Sequence, residues 1–356
     1  MKTAVVLFNL GGPDTQAAVQ PFLFNLFNDP SIIGAPGPIR YVLAWLISAR
    51  RAPAAREIYA RIGGGSPLLA NTETQAEALR ERLAAAGDVR VFIAMRYWHP
   101  MSDAAASAVK AWGADRVVLL PLYPQYSTTT TASSLRVWHR AARKAGLTAP
   151  TTAVCCYPAE RGFVDAVVDL LRPAYAAAQV AGRPRVLFSA HGLPERVVAR
   201  GDPYQWQVEQ TAAAIVRGLG IADLDWSVCY QSRVGPLAWI GPYTDAEIER
   251  AGRDRVPLVV VPVAFVSEHS ETLVELDLEY RARAAACGVP FYVRVPTVST
   301  HPAFVAGLAR LVMQAMNADS GSFMSQCGGR LCPVDRRGCP QSLRSGVQLS
   351  AVDACG

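Results

Sequence analysis

The chain has 356 residues, of which 51% are hydrophobic and 18% charged, so we expect one large folded domain or two of middling size. This composition excludes a disordered chain, and a net charge of +6 without a basic run suits an anionic ligand or lipid surface better than nucleic acid. No uncharged apolar run approaches the roughly 20 residues that span a bilayer, and no cationic start precedes the first strand, so neither a transmembrane helix nor a signal peptide is expected.

Short apolar runs bounded by glycine or proline alternate with alanine-rich helical stretches along the whole chain. The predicted strands are 3–10, 89–96, 116–122, 151–156, 184–190, 225–231, 257–264 and 291–295. The predicted helices are 71–86, 102–112, 132–145, 161–178, 204–219, 244–252, 270–286 and 302–317. Because β-branched strands that alternate with helices form parallel sheets covered on both faces, this order predicts an α/β fold.

The order of these elements repeats. Residues 6–10 (VLFNL) lead into a glycine-rich turn as residues 186–190 (VLFSA) do, and the strands at 117–121 and 259–262 match in the same way. We therefore predict two doubly wound, Rossmann-like and periplasmic-binding-like domains related by duplication, with a ligand cleft between them. The predicted bounds are 1–150 for the N-terminal domain, 151–318 for the C-terminal domain and 319–356 for a cysteine-rich tail.

An apolar segment at about 30–50, here called the hydrophobic lip, follows the loop after the first strand. Ile32 and Ile33 precede its apolar run Tyr41–Ala49, and three arginines, at positions 40, 50 and 51, bracket that run. A membrane-surface contact with basic edges fits this pattern. A core helix with solvated ends fits the same letters.

The segment 258–280, LVVVPVAFVSEHSETLVELDLEY, passes from a buried strand into a helix. Glu271, Glu275 and Glu279 recur every four residues, so in an α-helix they share one face, where their like charges repel each other. Two interpretations stay open. The face either moves protons or cations, or is solvated and paired with arginines such as Arg281 and Arg283.

Two histidines, His191 and His269, follow strands of the second half. The carboxyl ends of parallel strands are where α/β proteins bind ligands. Neutral imidazole accepts a proton near pH 7 or binds a divalent metal ion. A lone histidine is more often structural, but two at equivalent strand ends favour a functional site.

Aromatic, hydroxyl and arginine side chains fill the other loops at strand ends. No lysine follows the triple glycine at 63–65 as a P-loop requires, and no GxGxxG motif follows the first strand, so a nucleotide cofactor is not expected. Flat aromatic walls with arginine and hydroxyl donors suit a large planar ligand that carries peripheral carboxylates.

Eight segments, in this order and spacing, resemble the ferrochelatase family: FNLGGP, RIGGGSP, RYWHP, YPQYSTTT, SAHGLPER, GDPY, QSRVGPLAWIGP and FVSEHSETLVELDLEY. The resemblance extends from residue 3 to about 315. It implies insertion of Fe²⁺ into protoporphyrin IX to form protohaem, the last step of haem synthesis. A coproporphyrin or cobalt chelatase is the alternative enzyme. A non-enzymatic porphyrin or haem carrier is the alternative of another class, although a carrier has no protons to relay.

The resemblance also implies roles for the acidic and histidine side chains. His191 accepts the pyrrole protons or, with Glu271, binds the incoming Fe²⁺. His269 orients Glu271, and Glu275 and Glu279 continue as a carboxylate relay. The implied porphyrin-binding residues are Ser66, Arg96, Tyr97, Tyr123, Gln231, Trp239, Phe265, Ile32 and Ile33.

We expect different residues among these to contact different parts of the porphyrin. Ser66, Arg96 and Tyr123 are expected to hold the propionates or the ring edge. Trp239 and Phe265 are expected to press on the face of the macrocycle and distort it.

The chain carries eight cysteines, several of them close together near the C-terminus. Some ferrochelatases carry a [2Fe–2S] cluster on a cysteine-rich tail, and this resemblance implies such a cluster here. The implied ligands are Cys327, Cys332 and Cys339, with Cys155, Cys156 or Cys355 as the fourth. Zn²⁺ at these thiolates, or no metal at all, stays an alternative.

The remaining expectations concern partners and location. The resemblance implies protoporphyrin IX and Fe²⁺ as substrates and a membrane surface that contacts the hydrophobic lip. It implies a cytoplasmic protein, peripheral on the inner face of the membrane, with no nucleic-acid partner. A monomer and a homodimer both stay open.

Overall fold

The computed structural model describes residues 1–233, 235 and 237–341. Its strands are β1 Lys2–Asn9, β2 Asp88–Met95, β3 Arg116–Pro121, β4 Thr151–Cys156, β5 Arg185–His191, β6 Asp225–Gln231, β7 Leu258–Pro262, β8 Tyr292–Arg294 and β9 Phe323–Ser325. Its α-helices are α1 Val19–Phe27, α2 Gly37–Ala60, α3 Leu68–Arg82, α4 Ser102–Trp112, α5 Thr131–Ala145, α6 Arg161–Gln179, α7 Glu195–Ala199, α8 Tyr204–Leu219, α9 Thr244–Asp254, α10 Tyr280–Ala286 and α11 Pro302–Met316. A short 3₁₀ turn, Ala84–Ala86, follows α3, and a π-helix, Glu271–Glu279, precedes α10.

The strands form two sheets with the same topology. The first has the order β2-β1-β3-β4-β9 and the second the order β6-β5-β7-β8. The neighbours among β1–β4 and among β5–β8 pair in parallel. If β5–β8 are counted as a second set of four, both sheets read 2-1-3-4, as expected of a duplicated unit. The predicted α/β fold is confirmed, and the eight predicted strands agree with the observed ones to within two residues at each end.

The central strands are apolar on both faces because helices cover both sides of each sheet. In β1, the seven residues after Lys2 are all buried. One core cluster of the first unit packs Val6, Leu119 and Trp138 together. In the second unit, Leu187 and Val260 pack in a cluster that continues onto the π-helix.

Two compact units divide the chain, and neither is one continuous segment. The first unit comprises Met1–Tyr123, Ser127–Cys155 and Val312–Phe323. The second comprises Pro124–Tyr126, Cys156–Leu311 and, in the described part, residues 324–341. The predicted bounds at 150 and 318 differ from this division because residues 312–323, from the end of α11 into the tail, return to the first unit, and the described tail from 324 belongs to the second.

The segment predicted as one α-helix over 270–286 is π-helical for nine residues and becomes α-helical only in α10. The prediction of an α-helix is wrong there. A π-helix closes hydrogen bonds from residue i to i+5, so a spacing of four residues falls short of a full turn. In an α-helix the same spacing slightly exceeds a turn, so either helix places the glutamates near one face. Glu271 and Glu275 accordingly both reach Oγ of Ser232, and Glu279 is exposed at the end of the π-helix.

Helix α2 presents the hydrophobic lip. It buries small side chains such as Ala44, Ser48 and Ala52. The large apolar side chains that it exposes are Ile39, Tyr41, Val42, Leu43, Trp45 and Leu46. A core helix would bury the large side chains, so the core-helix alternative does not fit. Among the described residues, no helix combines the length and apolar character needed to cross a membrane.

Candidate active site

Three adjacent parallel strands bring the main site residues to one edge of the second sheet. Strand β5 lies between β6 and β7. His191 is the last residue of β5, Ser232 directly follows β6, and the loop after β7 leads to Glu271 at the start of the π-helix. Carboxyl ends of parallel strands meet at one edge, which is the usual ligand-binding edge of such sheets.

Nδ1 of His191 lies 2.9 Å from Oε2 of Glu271, in a hydrogen bond that becomes an ion pair when the imidazole is protonated. Burial opposes charge on both groups, but their mutual attraction outweighs it. Burial would lower the pKa of His191, yet the Glu271 carboxylate raises it above its ordinary value. Burial would raise the pKa of Glu271, yet His191 lowers it to about 2.

Glu275 joins this pair through a serine. The Oγ atom of Ser232 lies 2.5 Å from Oε2 of Glu275 and 3.4 Å from Oε2 of Glu271. The backbone N–H of Ser232 and the hydroxyl of Tyr280 each donate to Oε1 of Glu275 at 3.0 Å. Burial, reinforced by the charge of Glu271, raises the pKa of Glu275. Neither Ser232 nor Tyr280 was among the predicted site residues; the position of Ser232 directly after a strand was the available signal.

His269 is buried beside the pair. Its ring lies 4.4 Å from that of Phe265, centroid to centroid. Burial lowers the pKa of His269, so the ring is neutral at pH 7. Its Nδ1 atom is buried and has no hydrogen-bond partner within the described part of the chain.

An arginine on β8 anchors the segment that carries these groups. Arg294 donates to Oε1 of Glu268 at 2.8 Å and to Oδ2 of Asp277 at 2.7 Å. Glu268 also accepts from the backbone N–H of Thr297 at 3.0 Å. Burial opposes ionisation of Glu268, but Arg294 outweighs it and lowers the pKa of that carboxyl. The loop before the π-helix and the middle of the π-helix are thus tied to one buried guanidinium.

Trp239 and Gln231, two predicted porphyrin-binding residues of the second unit, lie near His191. The ring of Trp239 is 6.5 Å from that of His191, at 76° to it. The side chain of Gln231 is 1% exposed, and its Oε1 accepts from Oγ of Ser189 at 2.6 Å.

In the first unit, Arg96 is held by the carboxylate of Asp29, which was not among the predicted site residues. Nη2 of Arg96 lies 2.6 Å from Oδ2 of Asp29, and its Nε lies 2.8 Å from Oγ of Ser133. The hydroxyls of Tyr97 and Ser133 also donate to Asp29. Burial opposes ionisation of Asp29, but the charge of Arg96 and these hydrogen bonds outweigh it and lower the pKa.

Asp29 also organises the start of the hydrophobic lip. Its side chain accepts from the backbone N–H of Ser31 at 2.8 Å. Its carbonyl oxygen accepts from the backbone N–H groups of Ile32 and Ile33, each at 2.9 Å. The predicted lip residues and the predicted carboxylate-binding Arg96 therefore depend on one buried aspartate.

Ser66 lies against the loop that follows β1. Its backbone N–H donates to the carbonyl of Pro13 at 2.7 Å. A Cβ atom at Gly12 would lie only 2.4 Å from Oγ of Ser66, so a larger residue at position 12 would displace that hydroxyl. Tyr123 lies two residues after the end of β3, and burial raises the pKa of its phenol.

The cysteines of the second unit approach one another. Cys332 and Cys339 are buried, and their thiols share a hydrogen bond. This bond is the largest cause that raises the pKa of Cys332, and the nearby Cys156 raises it further. Cys155 is buried in the first unit, and Cys355 lies outside the described residues. Cys327 is partly buried and disulfide-bonded, so in this structure it offers no free thiol to the predicted cluster. In the part of the chain that the structure describes, no group of three or more His, Cys, Asp or Glu side chains is arranged to hold a metal ion.

Some known proteins are similar to this chain in sequence, and others are similar in fold. A family model described as Ferrochelatase matches residues 2–316. The ferrochelatase of Caulobacter vibrioides is 53% identical over 342 residues, covering 95% of this chain and 97% of that protein. That of Hyphomonas neptunium is 51% identical over 357 residues, covering 98% of each. The sirohydrochlorin chelatase SirB of Bacillus subtilis subspecies spizizenii, solved with cobalt, has a TM-score of 0.52 at 14% identity, over 89% of this chain and 97% of that chain. This last similarity concerns the fold alone.

Replacing Glu271 by Gln is expected to lower the pKa of His191, because the carboxylate that favours the imidazolium is removed. The raised pKa of folded His191 gives stability that is present below 6.5 and is lost as the pH rises through the folded pKa. The substitution should therefore cost more free energy of unfolding at about pH 6 than at about pH 9. Histidine NMR titration and urea unfolding of metal-free protein measure both effects.

His269 provides the internal control for this titration. Burial lowers its pKa below 6.5 in the wild-type protein, so the two histidines should titrate on opposite sides of that value. Signals are assigned with His191→Ala and His269→Ala. A His191 that titrates below 6.5, or that does not respond to Glu271→Gln, would contradict the ion pair.

Proposed function

The chain belongs to the ferrochelatase family, and on this basis we propose that it inserts Fe²⁺ into protoporphyrin IX to form protohaem and releases two protons. The observation that carries the proposal is the pairing of His191 with Glu271 at the carboxyl end of the second sheet. Metal insertion must take protons from pyrrole nitrogens, and a histidine held by a carboxylate is a suitable acceptor.

The hydrogen bond at Nδ1 supports a specific tautomer of His191. With the proton on Nδ1 directed at Glu271, the lone pair on Nε2 accepts the pyrrole proton. The imidazolium that forms is stabilised by the adjacent carboxylate, as the raised pKa of His191 indicates. Imidazole and carboxylate are also ligands for divalent iron, so we keep His191 and Glu271 as proposed ligands of the incoming Fe²⁺ substrate.

Glu275, Glu279 and His269, which lie near the pair or continue from it, have secondary proposed roles. Glu275 receives protons from Glu271 and passes them toward the exposed Glu279. A neutral, buried His269 polarises Glu271 through its proximity without adding a positive charge.

For the substrate, we propose that Ser66, Arg96, Tyr97 and Tyr123 bind the carboxylates and edge of the porphyrin. Support comes from Arg96, whose guanidinium is held in one orientation by Asp29 and Ser133. In the second unit we propose that Trp239, Phe265 and Gln231 form the apolar and polar wall next to His191. Ile32 and Ile33 are proposed to guide the porphyrin at the hydrophobic lip.

His191→Ala is expected to lose nearly all insertion while still binding porphyrin, because it removes the proton acceptor and leaves the aromatic wall. An anaerobic assay that mixes protoporphyrin IX and Fe²⁺ with enzyme follows conversion from free base to haem by absorption. Loss of general-base catalysis predicts a rate reduction on the order of 100-fold or more.

His301→Ala is the matched control, since its ring accepts from the N–H of Ala303 and pairs with Asp169 instead. Normal turnover by His191→Ala would exclude its assigned role. Porphyrin binding without conversion by the wild-type protein would favour the carrier alternative. A preference for coproporphyrin or Co²⁺ in the same assay would favour the alternative chelatases.

We further propose that the hydrophobic lip contacts the membrane surface and that the protein is cytoplasmic and peripheral on the inner face of the membrane. The support is the exposed side of α2, where Tyr41 and Trp45 are 57% and 56% exposed. Such amphipathic aromatic side chains, with flanking arginines, favour the interface of an anionic bilayer.

Trp45→Asp is expected to weaken binding to anionic phospholipid vesicles on the order of tenfold, because an apolar side chain no longer enters the interface. Val180→Asp is the control, since Val180 is 91% exposed and lies outside the lip. Vesicle cosedimentation measures both. Equal binding by the two variants would contradict the proposed contact.

We also propose that the tail cysteines hold a [2Fe–2S] cluster, with Cys332 and Cys339 as ligands and with Cys327 as the third once its disulfide is reduced. The support is the donor chemistry of the second unit, where the thiols of Cys332 and Cys339 share a hydrogen bond and Cys156 lies near Cys332. Thiolates are the ligands of such clusters. This neighbour relation favours Cys156 over Cys155 as the fourth ligand.

Cys332→Ser is expected to abolish the visible absorption, bound iron and acid-labile sulfide of the anaerobically purified protein, because it removes a central ligand. Cys287→Ser, a cysteine outside the proposed ligand set, should leave all three unchanged. Absence of iron and sulfide from the wild-type protein would contradict the cluster. Bound zinc in their place would favour the zinc alternative.

A further inference from the structure

Ser232 has an unfavourable backbone conformation inside the candidate site. Its φ angle is +65°, in the left-handed region that residues with a Cβ rarely adopt. Non-glycine residues persist there when surrounding contacts hold them, and such positions cluster at functional sites. The hydrogen bonds recorded for Ser232 within the described residues run to two glutamates of the π-helix, Glu271 and Glu275.

The left-handed conformation lets one residue bind Glu275 twice. The backbone N–H of Ser232 donates to Oε1 of Glu275 at 3.0 Å, and its Oγ lies 2.5 Å from Oε2 of the same carboxylate. Tyr280 donates to Oε1 as well, at 3.0 Å. Two donors therefore serve Oε1, and the Ser232 hydroxyl serves Oε2.

The same hydroxyl also faces Glu271. The distance from Oγ of Ser232 to Oε2 of Glu271 is 3.4 Å, and that Oε2 is the oxygen bonded to Nδ1 of His191 at 2.9 Å. The four polar atoms thus form one sequence, from the imidazole through Glu271 and the serine hydroxyl to Glu275. A hydroxyl both donates and accepts, so it can pass a proton between two carboxylates.

We propose that Ser232 transfers protons between Glu271 and Glu275. A proton that reaches Oε2 of Glu271 moves to Oγ of Ser232 as the original hydroxyl proton of Ser232 moves to Oε2 of Glu275. One O–H bond forms and one breaks at the serine, so the hydroxyl is regenerated. The negative charge moves from Glu275 to Glu271, which can then accept the next proton from His191.

This inference rests on the proposed function, because the protons come from the porphyrin. It differs from a purely structural role, in which Ser232 only orients Glu275. A structural role needs a hydrogen-bond donor at this position. A transfer role needs a group that accepts one proton while it releases another, which a side-chain amide does not do.

Ser232→Gly is the informative substitution. Glycine adopts a positive φ readily and keeps the backbone N–H bond to Glu275, so only the hydroxyl is lost. In the anaerobic insertion assay we expect kcat to fall on the order of 100-fold, with KM for porphyrin and for Fe²⁺ unchanged within about twofold. We also expect added imidazole buffer to restore part of the rate in Ser232→Gly and to leave the wild-type rate unchanged.

Ser232→Asn and Ser299→Gly complete the test. Asparagine tolerates a positive φ and donates to Glu275, but it does not pass a proton on, so its rate should stay as low as that of Ser232→Gly. Ser299 also has a positive φ, of 43°, and Ser299→Gly is expected to keep the wild-type rate.

Each outcome separates the inference from the function on which it rests. Haem formation by the wild type together with a full rate in Ser232→Gly, or a full rate in Ser232→Asn, would overturn the transfer role and leave the proposed function intact. A slow Ser232→Gly whose rate does not respond to imidazole would also overturn it. Absence of haem formation by the wild type would instead overturn the proposed function, and the transfer role with it.

Discussion

The ion pair between His191 and Glu271 is the interaction on which the rest of the site depends. A buried carboxylate beside a second carboxylate is costly unless a positive charge and hydrogen bonds compensate it. His191 compensates Glu271, by a hydrogen bond when neutral and by its charge when protonated, and Ser232 and Tyr280 compensate Glu275. With these bonds in place, Glu271 and Glu275 lie side by side despite the repulsion between their charges.

Much of the fold was predictable because it follows from local patterns. Runs such as the valines of β7 are apolar at every position, which is typical of a parallel strand covered on both faces. From the sequence alone, the position of His191 at a strand end and the spacing of Glu271 and Glu275 predicted a polar site. The resemblance to ferrochelatases then supplied the chemistry that spacing alone left open.

The remainder depends on contacts between distant parts of the chain. Asp29 binds Arg96 across 67 residues, and no local pattern marks it as a partner. The π-helix is another example, since its sequence is typical of an α-helix. Its wider turns occur where Arg294 of another strand binds Asp277. Ser232 was missed because its importance lies in a backbone angle and in two carboxylates that are 39 and 43 residues away.

The discontinuity of the two units has a consequence for biosynthesis. The first unit needs residues 312–323, and Arg116 of its sheet donates to the carbonyl of Met316 across 200 residues. A ribosome that builds the chain from its amino terminus therefore supplies the last part of the first unit after most of the second. Such long-range closure slows folding, so the nascent first sheet remains incomplete while the segment that carries His191 and Glu271 emerges. A gene truncated to the main segment of either unit, such as 1–155 or 156–311, therefore lacks residues that belong to that unit.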